Sequence, residues 1–152
     1  MARKKKWFCG IDPGVNGAYA FYNSEKEYYA FDYKNMQMTK DTIKHFKPEF
    51  TIIEHLWGTS GQGVDRVTTM IENYGQYQGI LIGLDLNFSK LTPTNWRKVL
   101  EIPTKCDKNT LLEVARRIFP DAKLEKNQDT DKAESLLMAL SAHVITLEKI
   151  KR

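Results

Sequence analysis

The hydrophobic and polar positions in the first part of the chain predict three short strands. Apolar runs occupy residues 7–12, 17–22 and 28–33, and turn-forming residues separate them, Pro13-Gly14 first and Asn23 to Lys26 second. Short connections of this kind join antiparallel neighbours. The sequence therefore predicts a meander of three strands.

The remainder of the chain alternates between strand-like and helix-like patterns. The β-branched run at 50–54 and the segment 87–91 predict two further strands. Helices are predicted at 41–46, at 64–81, from Thr92-Pro93-Thr94, at 108–119 and from about Asp131 onward. The glycine-rich segment 58–63 predicts a loop, and 122–130 predicts a polar connection. Strands first, then strands alternating with helices, predict an α/β fold with a mixed sheet flanked by helices.

Length and composition favour one globular domain spanning residues 1–152. The chain is 41% hydrophobic and 28% charged, which is ordinary for a folded protein, and no apolar run reaches the roughly 20 residues that a membrane helix needs. The segment Ala2-Arg3-Lys4-Lys5-Lys6 leads directly into a strand-like run rather than the apolar stretch of a signal peptide, so we expect a soluble cytoplasmic protein. Cys9 and Cys106 lack disulfide or metal-ligand spacing and are expected as reduced thiols.

The chain is basic, with a formal net charge of +4 and a pI of about 9.0. A basic protein suits a polyanionic partner, because each phosphate neutralised by lysine or arginine releases counterions. The alternative is that the lysine-rich ends of the chain are simply solvated. Charge alone does not decide between the two.

Two acidic residues stand where buried strands are predicted to end. Asp12 follows the apolar run 8–11, and Glu54 follows Ile52-Ile53. A desolvated carboxylate is unfavourable without a cation, and magnesium, which prefers oxygen ligands, supports phosphodiester cleavage. The pair therefore points to a shared metal. The alternatives are a turn-capping role for Asp12 before Pro13-Gly14 and an ion pair between Glu54 and a nearby lysine.

A second acidic pair begins the last predicted helix. Asp131 and Glu134 are three residues apart, so their side chains share one helix face and are candidates to complete the same site. The alternative is helix capping, because acidic residues in a first turn complement the helix dipole without any metal. Asp129 is a reserve ligand in place of Asp131 if the helix starts earlier than predicted.

Two glycines interrupt the predicted helix 64–81. Gly75 and Gly79 lie four residues apart, and each costs a helix roughly 1 kcal/mol relative to alanine. We therefore expect a close neighbour on that face, either the sheet or a second subunit, and in the second case this helix is the candidate dimer interface.

The turn at residues 10–14 also resembles the phosphate-binding turn that opens actin-like ATPases. That fold needs a second lobe, for which 152 residues leave no room, and the sequence has no Walker-type glycine loop. We therefore set this alternative aside.

Four segments taken together resemble the RuvC-like Holliday junction resolvases, particularly the bacteriophage branch. They are GIDPG at 10–14, IIEHLW at 52–57, LTPTNWR at 91–97 and DKAESLL at 131–137. The resemblance spans most of the chain. It implies an RNase H-like mixed five-stranded sheet, a homodimer, and paired nicks across a four-way DNA junction, with two Mg²⁺ ions per active site for which Mn²⁺ substitutes.

The resemblance also implies roles for individual residues. Asp12 would be the metal ligand of the first strand, Glu54 that of the central strand, and Asp131 with Glu134 the pair from the final helix. The positions that carry basic residues facing DNA are occupied by Arg97 and Lys108, and Trp57 falls where cellular resolvases have an aromatic residue near the junction centre. A core role for Trp57 is the alternative. Glu134 departs from the aspartate usual in cellular resolvases, whereas phage relatives commonly have glutamate there.

Two other functions are compatible with the same residues. A non-catalytic protein could bind branched DNA through its basic residues, with the acids serving only the fold. An RNase H-like nuclease could instead cut flaps, replication forks or RNA–DNA hybrids.

Overall fold

The computed structural model describes residues 3–56 and 63–151, which form a five-stranded sheet with helices on both faces. The strands are β1 (Trp7–Asp12), β2 (Ala18–Asn23), β3 (Tyr28–Asp32), β4 (Phe50–Glu54) and β5 (Phe88–Leu91). The helices are α1 (Met36–Phe46), α2 (Val64–Gly83), α3 (Pro93–Val99), α4 (Lys108–Ile118) and α5 (Thr130–Ile150), with a single 3₁₀ turn at Pro120–Ala122.

The sheet is mixed, in the order β3-β2-β1-β4-β5. The first three strands are antiparallel neighbours, which confirms the predicted meander. The β4 strand then pairs parallel to β1, and β5 pairs parallel to β4. Parallel pairing brings the carboxyl ends of β1, β4 and β5 to the same edge of the sheet.

Alternate residues of each strand enter one of two hydrophobic cores. Phe8 of β1 and Ile52 of β4 pack with α3, α4 and α5, whereas Cys9, Ile11 and Ile53 pack with α1 and α2. Side chains two residues further along a strand point to the same face. Asp12 and Glu54 therefore lie on the side of the sheet that α5 covers.

Contact between α5 and β1 is unusually close at Gly10. A Cβ atom placed on Gly10 would meet the Ser135 carbonyl oxygen and would lie 2.5 Å from the Ala139 nitrogen and 2.6 Å from the Met138 Cβ. Only glycine permits this approach, because no real side chain tolerates main-chain atoms at such distances. The main chain of α5 thus lies directly on the central strand.

Side-chain caps account for where several helices begin. The Asn35 side chain accepts a hydrogen bond from the Met38 backbone N–H, so α1 begins at Met36 and the predicted start at residue 41 is wrong. Thr92 caps α3 and Pro93 is its first residue, as predicted. Asp107 caps α4 in the same way.

The glycines of α2 do not face the sheet. Apart from the adjoining backbone of α2 itself, nothing in the described part of the chain lies within 4 Å of the position that a Cβ would take at Gly75, Gly79 or Gly83. The prediction that the sheet is the close neighbour of these glycines is therefore wrong. The alternative, that a second subunit is the neighbour, stays a prediction.

Both cysteines are free thiols, as expected. Of the described helices, none combines the length and apolarity needed to cross a membrane.

We predict that Gly10→Ala destabilises the fold by about 3 kcal/mol or more, because the added methyl group meets main-chain atoms of α5 that cannot move independently. Urea unfolding would measure the loss. Gly83→Ala is the matched control, since its methyl group enters open space and should be neutral or stabilising by up to about 1 kcal/mol. Equal stability of the two variants would contradict the close packing of α5 on β1.

Candidate metal centre

Three elements deliver acidic side chains to the same edge of the sheet. Ile11 of β1 is aligned with Ile53 of β4, so the residues that follow them, Asp12 and Glu54, end two adjacent parallel strands. The beginning of α5 crosses above them and adds Glu134 from its second turn. One carboxylate oxygen from each of Asp12, Glu54 and Glu134 lies within 4.8 Å of the others. The structure therefore brings together acids that the sequence separates widely.

Burial makes this cluster electrostatically unfavourable. It raises the pKa of Asp12 well above the ordinary value, and the charges of Glu134, Asp131 and Glu54 raise it further. Burial also raises the pKa of Glu134 from 4.5 to about 7, with the Glu54 charge adding to the effect and Arg97 opposing it. Ionisation of these carboxyl groups is therefore opposed both by desolvation and by the negative charges of the neighbouring acids.

The Glu54 carboxylate is better compensated. Burial raises its pKa above the ordinary value, and a hydrogen bond from Trp96 and the charge of Arg97 oppose this rise without cancelling it. The Trp96 indole nitrogen donates to Glu54 Oε2 over 2.9 Å. This indole contact, rather than an ion pair with lysine, is the direct partner of Glu54 in the structure, although the nearby Lys108 charge also lowers the Glu54 pKa.

The alternative role predicted for Asp12 is present as well. The Gly14 backbone N–H donates to Asp12 Oδ1 over 3.2 Å, so Asp12 does cap the turn that follows β1. This contact uses one of its two carboxylate oxygens. Turn capping and metal binding are therefore compatible at Asp12.

The acids at the start of α5 divide into two sets. Asp129 occupies the N-cap position, and its carboxylate accepts the Glu125 N–H over 2.7 Å and pairs with Lys132 at 3.6 Å. Asp131 instead lies close enough to Asp12 to raise its pKa. This arrangement favours Asp131 over Asp129 as the fourth acid of the site, and the choice of ligand stays a prediction.

The predicted DNA-facing residues differ in their surroundings. Arg97 has a side chain only 14% exposed, and its guanidinium nitrogen Nη2 lies 3.8 Å from Glu134 Oε1. Lys108 is exposed at the start of α4. Trp57 lies outside the described residues. DNA contact by all three stays a prediction.

One residue of the site had no role in the sequence interpretation. Trp96 is fully buried and contacts Glu54, yet in the sequence it appears only as part of the segment 91–97. The signal that could have found it is chemical. A buried indole N–H normally has a hydrogen-bond acceptor, and a buried carboxylate such as that of Glu54 needs a donor.

The donor set fits a divalent cation. In the described part of the chain, Asp12, Glu54 and Glu134 are the one group of potential ligands whose atoms lie close enough to share an ion. All three supply oxygen, the ligand type that Mg²⁺ and Mn²⁺ prefer. A bound cation would also offset the burial and the mutual repulsion that raise their pKa values.

The fold is the RNase H-like fold of the RuvC-like resolvases. Thermus thermophilus RuvC matches with a TM-score of 0.66 and 12% identity over 94% of this chain and 96% of that chain. The T. thermophilus RuvC structure in complex with a Holliday junction substrate matches with a TM-score of 0.66 and 12% identity, over 93% and 96%. The yeast mitochondrial Holliday junction resolvase matches with a TM-score of 0.53 and 15% identity over 94% and 81%.

No protein-family profile and no curated protein matches the sequence itself. At identities this low the structural likeness establishes the fold.

We predict that Glu134→Gln stabilises the metal-free protein at high pH. Because burial raises the pKa of Glu134 from 4.5 to about 7, the folded state holds this proton more tightly than the unfolded state, and stability is lost as the pH rises through about 7. A pKa shift of one corresponds to about 1.4 kcal/mol. At pH 8 with a chelator, the variant should be more stable by up to roughly 3 kcal/mol in urea unfolding.

The gain should shrink as the pH falls and vanish at about pH 3, well below the ordinary pKa of 4.5, because the wild-type side chain is then protonated in both states. Glu72→Gln on the exposed side of α2 is the control and should change stability by less than about 0.5 kcal/mol at either pH. A Glu134→Gln effect that does not vary with pH would argue against an uncompensated buried carboxylate.

Proposed function

We propose that the protein is a Holliday junction resolvase, a structure-selective endodeoxyribonuclease that makes paired nicks in four-way and other branched DNA by metal-assisted hydrolysis. The observation that carries this proposal is the convergence of Asp12, Glu54 and Glu134 within 4.8 Å of one another at one edge of a RuvC-like fold. The matched RuvC structure with a Holliday junction substrate supports branched DNA as the partner.

The proposed cofactor is Mg²⁺, with Mn²⁺ able to replace it and two ions per site. Asp12, Glu54 and Glu134 would hold the ions, and Asp131 would complete the set. When bound, the ions supply a water molecule of lowered pKa and neutralise the charge that develops on the phosphodiester. The products would be a 5′-phosphate and a 3′-hydroxyl, which a ligase can reseal.

Basic residues beside the acids would bind the DNA backbone. Arg97 and Lys108 both lie close enough to lower the pKa of Glu54, so a phosphate held between them would also lie beside the metal ligands. The side chain of Arg97 is 14% exposed, and a phosphate oxygen would reach the guanidinium through that exposed part. Trp57 would stack on an unpaired base at the junction centre.

A homodimer follows from the symmetry of the substrate, because an isologous pair places two sites against a roughly two-fold symmetric junction. We propose α2 as the interface. Its outer face combines the open glycines Gly75 and Gly79 with Ile71 and Ile82, which are 60% and 64% exposed. Glycines would let a second helix approach closely, and the isoleucines would gain burial.

Residues 1–152 would act as a single nuclease domain. Glutamate at 134, where cellular resolvases usually have aspartate, supports assignment to the bacteriophage branch. A phage enzyme of this kind would work in the cytoplasm of its host.

We predict that Asp12→Asn and Glu54→Gln each reduce Mg²⁺-dependent cleavage of a synthetic four-way junction by about 100-fold or more, because even residues that only support metal ligands contribute 10- to 100-fold. Gel electrophoresis of labelled strands would measure cleavage. Junction binding in Ca²⁺ should persist, since neither change removes a basic residue. Asp129→Asn is the matched control, because it keeps an oxygen acceptor for the Glu125 N–H and should stay active.

Cleavage by both variants at the wild-type rate would remove the nuclease assignment from these residues. Flaps, forks and RNA–DNA hybrids should be compared side by side with the junction, and a preference for any of them would favour the corresponding RNase H-like activity. Tight junction binding by a wild-type protein that cuts no substrate would favour the non-catalytic alternative.

We predict that Ile82→Glu weakens self-association by about 100-fold or more, because it would bury an unpaired charge in the proposed interface. Sedimentation would measure the dimer, and a supercoiled cruciform plasmid would report on paired nicking, with nicked circles replacing linear product. Ile150→Glu is the matched control, because Ile150 is 73% exposed on α5 rather than α2. A wild-type protein that remains a monomer at micromolar concentration and on DNA would contradict the dimer.

A further inference from the structure

Trp96 joins the hydrophobic core to one of the acids. Its side chain is fully buried among residues of α4 and α5, and its indole nitrogen donates to Glu54 Oε2 over 2.9 Å. Its main chain is also held, because Ser141 Oγ of α5 donates to the Trp96 carbonyl oxygen over 3.0 Å. The donor that reaches Glu54 is therefore fixed at both its ring and its backbone.

We propose that Trp96 is a positioning residue of the metal centre, whose indole N–H holds Glu54 Oε2 and so reserves Oε1 as the ligand atom. This inference rests on the proposed function, since it assigns Trp96 a role toward the same ions. Ligand-supporting hydrogen bonds of this kind restrict a carboxylate to one orientation before the ion arrives.

The chemistry of indole suits this role. Indole N–H is a donor only and carries no charge, so it can neither bind the cation nor compete with it, as a lysine at the same place would. If the Glu54 side chain rotated away, the N–H would be left without its acceptor in a fully buried position, which is strongly unfavourable. The packing of Trp96 in the core therefore disfavours every other orientation of the Glu54 carboxylate.

The next residue of α3 extends the same arrangement. Arg97 lies over the Trp96 ring, with its guanidinium carbon 5.4 Å from the ring centroid, and reaches Glu134 at 3.8 Å. Adjacent residues of one short helix thus contact acids from β4 and from α5. Through these two contacts, α3 fixes the position of Glu54 relative to Glu134.

A tryptophan can also be buried simply to fill space, and the test must separate that role from the hydrogen bond. Two variants do so. Trp96→Phe removes the N–H and part of the ring, whereas a benzothienyl-alanine introduced at position 96 by amber suppression replaces only the N–H with sulfur and keeps the bicyclic shape. Trp7→Phe is the matched control, because Trp7 packs on Tyr29 and Phe46 at the opposite end of β1.

The readout is Mn²⁺ binding by electron paramagnetic resonance on the full chain, without DNA. Both Trp96 variants should bind Mn²⁺ about 10- to 100-fold more weakly than wild type, and Trp7→Phe should bind within about 2-fold of wild type. In a Glu54→Gln background, Trp96→Phe should change the affinity by less than about 2-fold, because the effect acts through Glu54 and the two changes are then not additive.

The outcomes separate the two proposals. A wild-type protein that binds no Mn²⁺ would overturn the metal centre itself. Wild-type binding that is matched by both Trp96 variants would overturn the positioning role and leave the metal centre intact. Weak binding by Trp96→Phe with normal binding by the benzothienyl variant would also overturn it, because ring volume rather than the N–H would then be responsible.

Discussion

The absence of a side chain at Gly10 is the constraint on which the rest of the structure depends. Because no Cβ intervenes, the main chain of α5 rests on the central strand, with Ser135 and Ala139 at the contact. The first turn of α5 is consequently held above the end of β1, and Glu134 precedes the contact by a single residue. Asp12 follows Gly10 by two residues and emerges on the same face. One close packing contact therefore aligns the strand acids with the helix acid.

The same burial that organises the site makes it unfavourable without a cation. Asp12 is only 7% exposed, and three neighbouring acids raise its pKa beyond the effect of burial. Two neighbouring residues partly offset the cost of burying these acids. Trp96 and Arg97 both lower the pKa of Glu54, and Arg97 also lies beside Glu134. The buried acids at this edge of the sheet therefore lower the stability of the fold, which is common at sites that bind a ligand.

Much of this arrangement was predictable from local patterns. Strand periodicity located Asp12 and Glu54 at strand ends, and helical spacing located Glu134. The start of α1 differs from the prediction because the Asn35 cap that determines it lies outside the segment 41–46 whose pattern indicated a helix. The partnership of Trp96 with Glu54 spans 42 residues and depends on how α3 crosses the sheet, which no local pattern encodes. The open face at Gly75 was ambiguous for the same reason, since sequence does not say which side of a helix is covered.

The close contact at Gly10 also determines which changes in chain length the centre tolerates. Each residue advances an α-helix by about 100°, so inserting or deleting one residue between Asp131 and Met138 would turn the acids out of line with β1 even if α5 remained fully helical. A change in the connection at 123–129 would alter no such angle. The centre is therefore sensitive to helical phase and largely indifferent to loop length. Insertions and deletions in related sequences are therefore expected in the connections, whereas the number of residues between Asp131 and Met138 should stay constant.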